Sequence, residues 1–233
     1  MAAVQPVRLQ PKTQRCVEAA ITFTLSVLLP VRAIRMKLLL ASSSKYRRSL
    51  LQQLGLPFDW ASPDIDETPR ADESPEQLTC RLALAKAEAL AAQWPHHWII
   101  GSDQVCVVNG RITGKPGTEE KAVAQLQTCS GQRISFLTGL ALIHPASGFS
   151  RVITEPFHVR FRELSTIEIR NYVEREQPLD CAGSFKVEGA GIQLFEGLEG
   201  RDFNSLIGLP MIALCELLRE AGINPLLADS GDC

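Results

Sequence analysis

The segment ASSSKYRR, Ala41 to Arg48, follows an apolar run with three serines and then places Lys45, Arg47 and Arg48 at a helix start. A helix N-terminus presents unpaired N–H groups and a partial positive charge, so serines and arginines there form a phosphate cradle. Arg47 or Arg48 can grip two phosphate oxygens at once. A second cluster, IIGSDQ, sets Asp103 just after an apolar strand and a flexible glycine, where α/β proteins project ligand-binding groups. GKP places Lys115 in a tight loop, and Asp64, Asp66 and Glu67 offer hard oxygen ligands to a divalent ion. Taken singly, each is an ordinary polar loop residue. Together, anion-binding groups with carboxylates and no histidine cage point to a polyphosphate substrate carrying magnesium or manganese. Such an ion neutralises phosphates while a carboxylate orients or deprotonates water.

These residues need elements to position them. Leu38–Ala41 reads as a short strand, followed by a helix from about Lys45 to Leu54 that Gly55 closes. Phe58 to Ala61 is a second strand. Ser74, Pro75 and Gln77 then form a strong helix start, and the apolar stripe Leu78, Leu82, Ala85 and Ala89 carries that helix to about Gln93, with Lys86 near its edge. His97 to Val108 reads as a buried strand interrupted by GSDQ, GRITGKPGT as turn and loop, and Glu119 to Cys129 as a helix. Arg133 to His144 and Val152 to Arg162 read as a hairpin of long strands. Ser165 and Glu168 open another helix, short strands follow near Gly183–Lys186 and Gly191–Phe195, and Leu209 to Ala221 forms the last helix. Strand–helix units mixed with an antiparallel hairpin predict an α/β fold with a mixed sheet flanked by helices. GxGxxG and the P-loop pattern are both absent.

The 233 residues carry a formal charge of −2, which gives no global attraction to nucleic acid or to an anionic membrane. Any polyanionic partner must therefore be met by a local basic cluster, and no nucleic-acid or membrane partner is expected. Seven cysteines without a CxxC pair predict a reducing, cytoplasmic compartment. No long heptad or conspicuous apolar patch marks a subunit interface, and a homodimer is left open. Basic Arg8, Lys12 and Arg15 precede the uncharged run Ala19 to Val31, without a cleavage site and too short for a membrane span. We read residues 1–35 as an extension outside the fold, 36–228 as one catalytic domain and 229–233 as a tail.

ASSSKYRR, DETPRADESPEQL, IIGSDQ, GKP, CAGSFKVEG and NSLIGLP, in this order, resemble the Maf family of nucleotide pyrophosphatases over Met36 to Leu227. The resemblance implies a Maf/ITPase-like α/β fold of two closely packed lobes with a cleft between them. It also implies hydrolysis of a nucleoside triphosphate between the α and β phosphates, with a divalent metal cation, Mg or Mn. Carried over residue by residue, Asp103 is the proton acceptor, and Ser42, Arg47, Lys86 and Lys115 bind the phosphates. Glu67 with Asp103 meets the metal, and Tyr46, Gln104 and Glu188 tune base choice. Gln104 after the aspartate, with Tyr46 and SFKVEG, resembles the 7-methyl-GTP branch rather than the dTTP/UTP branch, where a threonine usually follows. The alternatives are that dTTP/UTP activity, or a nucleotide-binding regulator of cell division without significant catalysis.

Overall fold

A computed structural model describes residues 36–227. The expected N-terminal extension at 1–35 and tail at 229–233 lie outside the described residues. One sheet of seven strands organises the described residues. β1 (Leu38–Ala41) is buried at every position and lies parallel between β2 (Phe58–Ala61), at the sheet edge, and β3 (Trp98–Val108). α1 (Lys45–Gln52) and α2 (Pro75–Glu88) fill the connections. The Ser44 and Ser74 side chains cap them, the latter with Gln77 in a reciprocal box at the start of α2.

β3 continues through GSDQ without interruption, contrary to the expected break. A three-residue strand, β4 (Arg111–Thr113), pairs with its end where a loop was expected. After α3 (Glu119–Cys129) come β5 (Arg133–His144) and β6 (Phe149–Phe161), an antiparallel hairpin that starts its second strand three residues earlier than its apolar pattern indicates. α4 (Thr166–Glu176) follows. The two short strands expected next are instead 3₁₀ turns at Ala182–Ser184 and Ala190–Leu194. The strand lies just beyond them, as β7 (Phe195–Gly200) on the free side of β6. α5 (Phe203–Ile207) and α6 (Met211–Glu220) complete the chain.

Helices cover the sheet, and the core divides accordingly. One cluster joins Phe136, Phe161 and Phe185 to α3 and α4 through Leu126 and Val173. Another joins β1 to α1 and α6 through Leu38, Leu50 and Leu214. Ile207 packs against both. On the remaining face α2 crosses β3 and β5 at very close range. A Cβ on Gly101 would stand 2.0 Å from the Ala83 carbonyl oxygen, and one on Gly139 2.2 Å from that of Thr79. Gly101 is thus a place where backbone meets backbone rather than a hinge. No described helix is long and apolar enough to cross a membrane.

Candidate functional site

The sheet opens where the chemistry sits. β1 pairs with β3 only as far as Ile100, and β4 joins β3 only from Cys106. Residues between these points have β5 on one side, with Asp103 opposite Gly139, and among the described residues no strand on the other. Ser42 follows the end of β1 and leads into α1, so the serine segment borders this gap. A cleft of about 820 Å³ occupies the region, and Ser42, Tyr46, Arg47, Glu67, Lys86 and Asp103 line it. Gln104, Lys115 and Glu188 line it too, so every residue carried over from the family resemblance faces one space. Asp64 and Asp66 do not line it. Asp66 accepts a hydrogen bond from the Thr68 amide at 2.9 Å and serves the loop turn instead.

Strand alternation divides the work of β3. Asp103 shares the Gly101 face, toward α2, and its carboxylate accepts from Lys86 Nζ at 2.6 Å. Lys86 is buried rather than at a solvated edge, because the two glycines let α2 settle onto the strands. The same ammonium meets Glu67 Oε1 at 2.8 Å. Arg81 holds Glu67's loop against α2 by bonding Glu73 at 2.5 Å and the Thr68 carbonyl at 3.1 Å. Burial pushes Glu67 up, but the hydrogen bond from Lys86 and the charges of Lys86, Lys115 and Arg47 outweigh it and hold its carboxyl below the ordinary value. The stabilisation this interaction provides is complete above the ordinary glutamate value of 4.5 and is lost as pH falls through Glu67's lowered one. Thermal melts should therefore show a wider gap between wild type and Glu67→Gln at pH 7 than at about pH 3.

Ser102 and Gln104 point to the opposite face. Ser102 Oγ donates to the Gly139 carbonyl at 2.9 Å and the Gly208 carbonyl at 3.0 Å. Arg47 Nε donates to the same Gly208 oxygen at 2.7 Å, and its Nη1 reaches Ser42 Oγ at 3.5 Å. The NSLIGLP segment thus aims an arginine 161 residues away. Burial lowers the Arg47 guanidinium from its usual range, against which Asp103 and Glu67 act. Gln104 Nε2 faces the Ser205 and Leu206 carbonyls at 2.7 and 3.1 Å. Two carbonyl acceptors require the amide nitrogen there, so the group Gln104 has left for a ligand is an acceptor oxygen.

Tyr46 belongs to a separate neighbourhood. Burial first, then the neighbouring Cys181 and the carboxylates Asp180 and Glu188, push its phenol up to about 12. Asp180 and Cys181 line the cleft as well and were not anticipated, although Cys181 opens the singled-out CAGSFKVEG segment and Asp180 directly precedes it. Lys186 pins this loop, its Nζ donating to the last carbonyls of α4 at Glu176 and Gln177, at 2.8 and 3.1 Å.

The family model for Maf-like proteins matches residues 37–221. The chain belongs to the Maf-like protein family. Two solved structures are also similar at a low level. The Ham1 protein of Staphylococcus aureus is 14% identical over 79% of this chain and 99% of its own, with a TM-score of 0.46. A HAM1 protein from Coxiella burnetii is 16% identical over 66% of this chain and 88% of its own, with a TM-score of 0.42. The Maf-like cleft sets Arg47, Lys86 and Lys115 beside the paired carboxylates Glu67 and Asp103, with Lys45 and Arg48 also on its wall. Among the described residues no group of three or more His, Cys, Asp or Glu stands ready to hold a metal ion alone. Glu67 and Asp103 do converge on Lys86. Two carboxylates suit a magnesium-type ion that arrives with substrate phosphates and completes its shell with them and water.

Proposed function

We propose that this Maf-like protein hydrolyses 7-methyl-GTP to 7-methyl-GMP and diphosphate, clearing a modified nucleotide. The observation that supports this best is the division of charge in the cleft. Arg47, Lys86 and Lys115 act on the carboxylates Glu67 and Asp103, while Tyr46 lies in the field of Asp180 and Glu188. The first group suits a triphosphate and an attacking water. The second suits a cationic base, since N7-methylation gives guanine a positive charge that a tyrosine ring and carboxylates favour.

In this mechanism Arg47, Lys86 and Lys115 hold the triphosphate tail, and Ser42 supports Arg47. Asp103 accepts a proton from water as its oxygen bonds to the α phosphorus and the bridge to the β phosphorus breaks. Diphosphate then leaves against the cationic wall. A divalent ion held by Glu67 and Asp103, when bound, supplies charge neutralisation and makes water easier to deprotonate. Lys86 keeps the two carboxylates together.

A pyrophosphate-release panel of 7-methyl-GTP, GTP, dTTP and UTP with magnesium or manganese tests the assignment. Turnover is expected to be fastest on 7-methyl-GTP, and a pyrimidine triphosphate turned over fastest would displace it. Glu188→Gln is expected to reduce the preference for 7-methyl-GTP over GTP by about two- to thirtyfold, the range of a cation-stabilising contact of ~0.5–2 kcal/mol. The ratio of kcat/KM values measures this directly.

A further inference from the structure

Lys45, whose ammonium stands 4.9 Å from the Tyr46 ring centroid, and Arg48 take no part in the hydrolytic step proposed above, yet both line a second cavity of about 560 Å³ as well as the cleft. One wall is the α1 face carrying Lys45, Arg48, Ser49 and Gln52, at helical spacing. The other includes Phe58 and Trp60 of the edge strand β2. Among the described residues no acidic side chain lines this space. Trp60 is 50% exposed, and the Arg48 guanidinium covers its ring at 4.1 Å from the centroid.

An exposed ring topped by a guanidinium, beside a lysine and without a carboxylate, is suited to a ligand that is both flat and anionic. Nucleobases stack on aromatic and guanidinium planes, and phosphates pair with guanidinium and ammonium groups. We propose that the Lys45–Arg48–Trp60 cavity is a second nucleotide subsite, adjoining the cleft, which takes a nucleoside phosphate with its base on the Arg48–Trp60 stack. Two sources offer that chemistry. One is the far nucleoside of a dinucleoside 5′,5′-triphosphate lying across both cavities, and this source alone rests on the pyrophosphatase assignment. Water oxygen would then join the α phosphorus, the α–β bridge would break, and a nucleoside monophosphate and a nucleoside diphosphate carrying the far nucleoside would leave, with a proton passing to solvent. The other source is a separate mononucleotide.

Calorimetric titration of GMP into the full chain, its cleft saturated with α,β-methylene-GTP, tests the subsite, with steady-state turnover of GTP and diguanosine triphosphate measured in parallel. A second nucleotide equivalent is expected to bind, and Trp60→Ala is expected to weaken it about tenfold or more while leaving GTP turnover within about twofold. Arg48→Gln should weaken GMP binding similarly. If Trp60→Ala also raises KM for diguanosine triphosphate about tenfold, the spanning ligand is the source. If that KM is unchanged while GMP binding is lost, the source is the separate mononucleotide. Absence of a second GMP equivalent, together with an unaltered KM for diguanosine triphosphate in Trp60→Ala, would overturn the proposal. So would sedimentation showing that Trp60→Ala splits a dimer, which would assign the exposed ring to a second copy. A wild type that hydrolyses no triphosphate would defeat the pyrophosphatase assignment but leave GMP binding at Trp60 measurable.

Discussion

Asp103→Asn is expected to leave a folded protein that releases diphosphate from 7-methyl-GTP on the order of a thousandfold more slowly, the middle of the range for loss of a general base. The side chain keeps its size, so the packing between β3 and α2 need not change. Lys86 retains Glu67 as a charged partner at 2.8 Å, which limits the cost of leaving a buried ammonium underpaired. Asparagine accepts no proton and contributes no charge to an ion. Circular dichroism and a melt establish folding, and pre-steady-state turnover reads the chemical step. A folded Asp103→Asn enzyme within tenfold of wild type would remove Asp103 from the reaction.

Gly101→Ala carries the largest expected structural effect. Its new methyl carbon would lie 2.0 Å from a backbone oxygen of α2, an atom that cannot swing aside as a side-chain tip can. Either α2 lifts or β3 bends, at a cost of roughly 3 kcal/mol, the upper end of ordinary overpacking. For a domain of this size that corresponds to a melting point about 6–12 °C lower. Activity should fall further than stability at 25 °C requires, because lifting α2 draws Lys86 away from the 2.6 Å contact with Asp103. Gly197→Ala is the control. Its added carbon would meet only Arg160 Cβ at 4.0 Å, so it should melt within a few degrees of wild type.

The clearest parts of the fold in sequence were those with local signals. The capping boxes at Ser74 and Ser165 mark the starts of α2 and α4 because each is closed within four residues. GSDQ misleads for the opposite reason. Three consecutive polar side chains look like a break, but Ser102 and Gln104 bond carbonyls near α5 while Asp103 pairs with α2. Those partners are distant in the chain, so local pattern cannot reveal that the strand continues. FEGLEG is hidden similarly. Its glycines suggest a loop, and pairing with β6 makes it a strand, with Gly200 packed where a Cβ would meet the Phe157 ring at 2.2 Å.

The candidate site was more legible than its supports. Serines and arginines at a helix start and an aspartate beside them in the strand advertise anion chemistry by their types alone, and all the residues carried over from the family resemblance line the one cleft. What composition could not convey is which backbone groups aim them. Gly208's carbonyl, fixed by Ser102, orients Arg47, and Gly101 admits the helix that carries Lys86. Asp180 contributes a second negative group near Tyr46 from outside the matched segments.

The central claim is attack by water on the α phosphorus of a nucleoside triphosphate in this cleft. Hydrolysis of 7-methyl-GTP in ¹⁸O-labelled water, followed by phosphorus NMR and mass spectrometry of the products, tests it most directly. The label is expected in 7-methyl-GMP, with unlabelled diphosphate as the other product. Label in the diphosphate, or release of orthophosphate with 7-methyl-GDP, would contradict it.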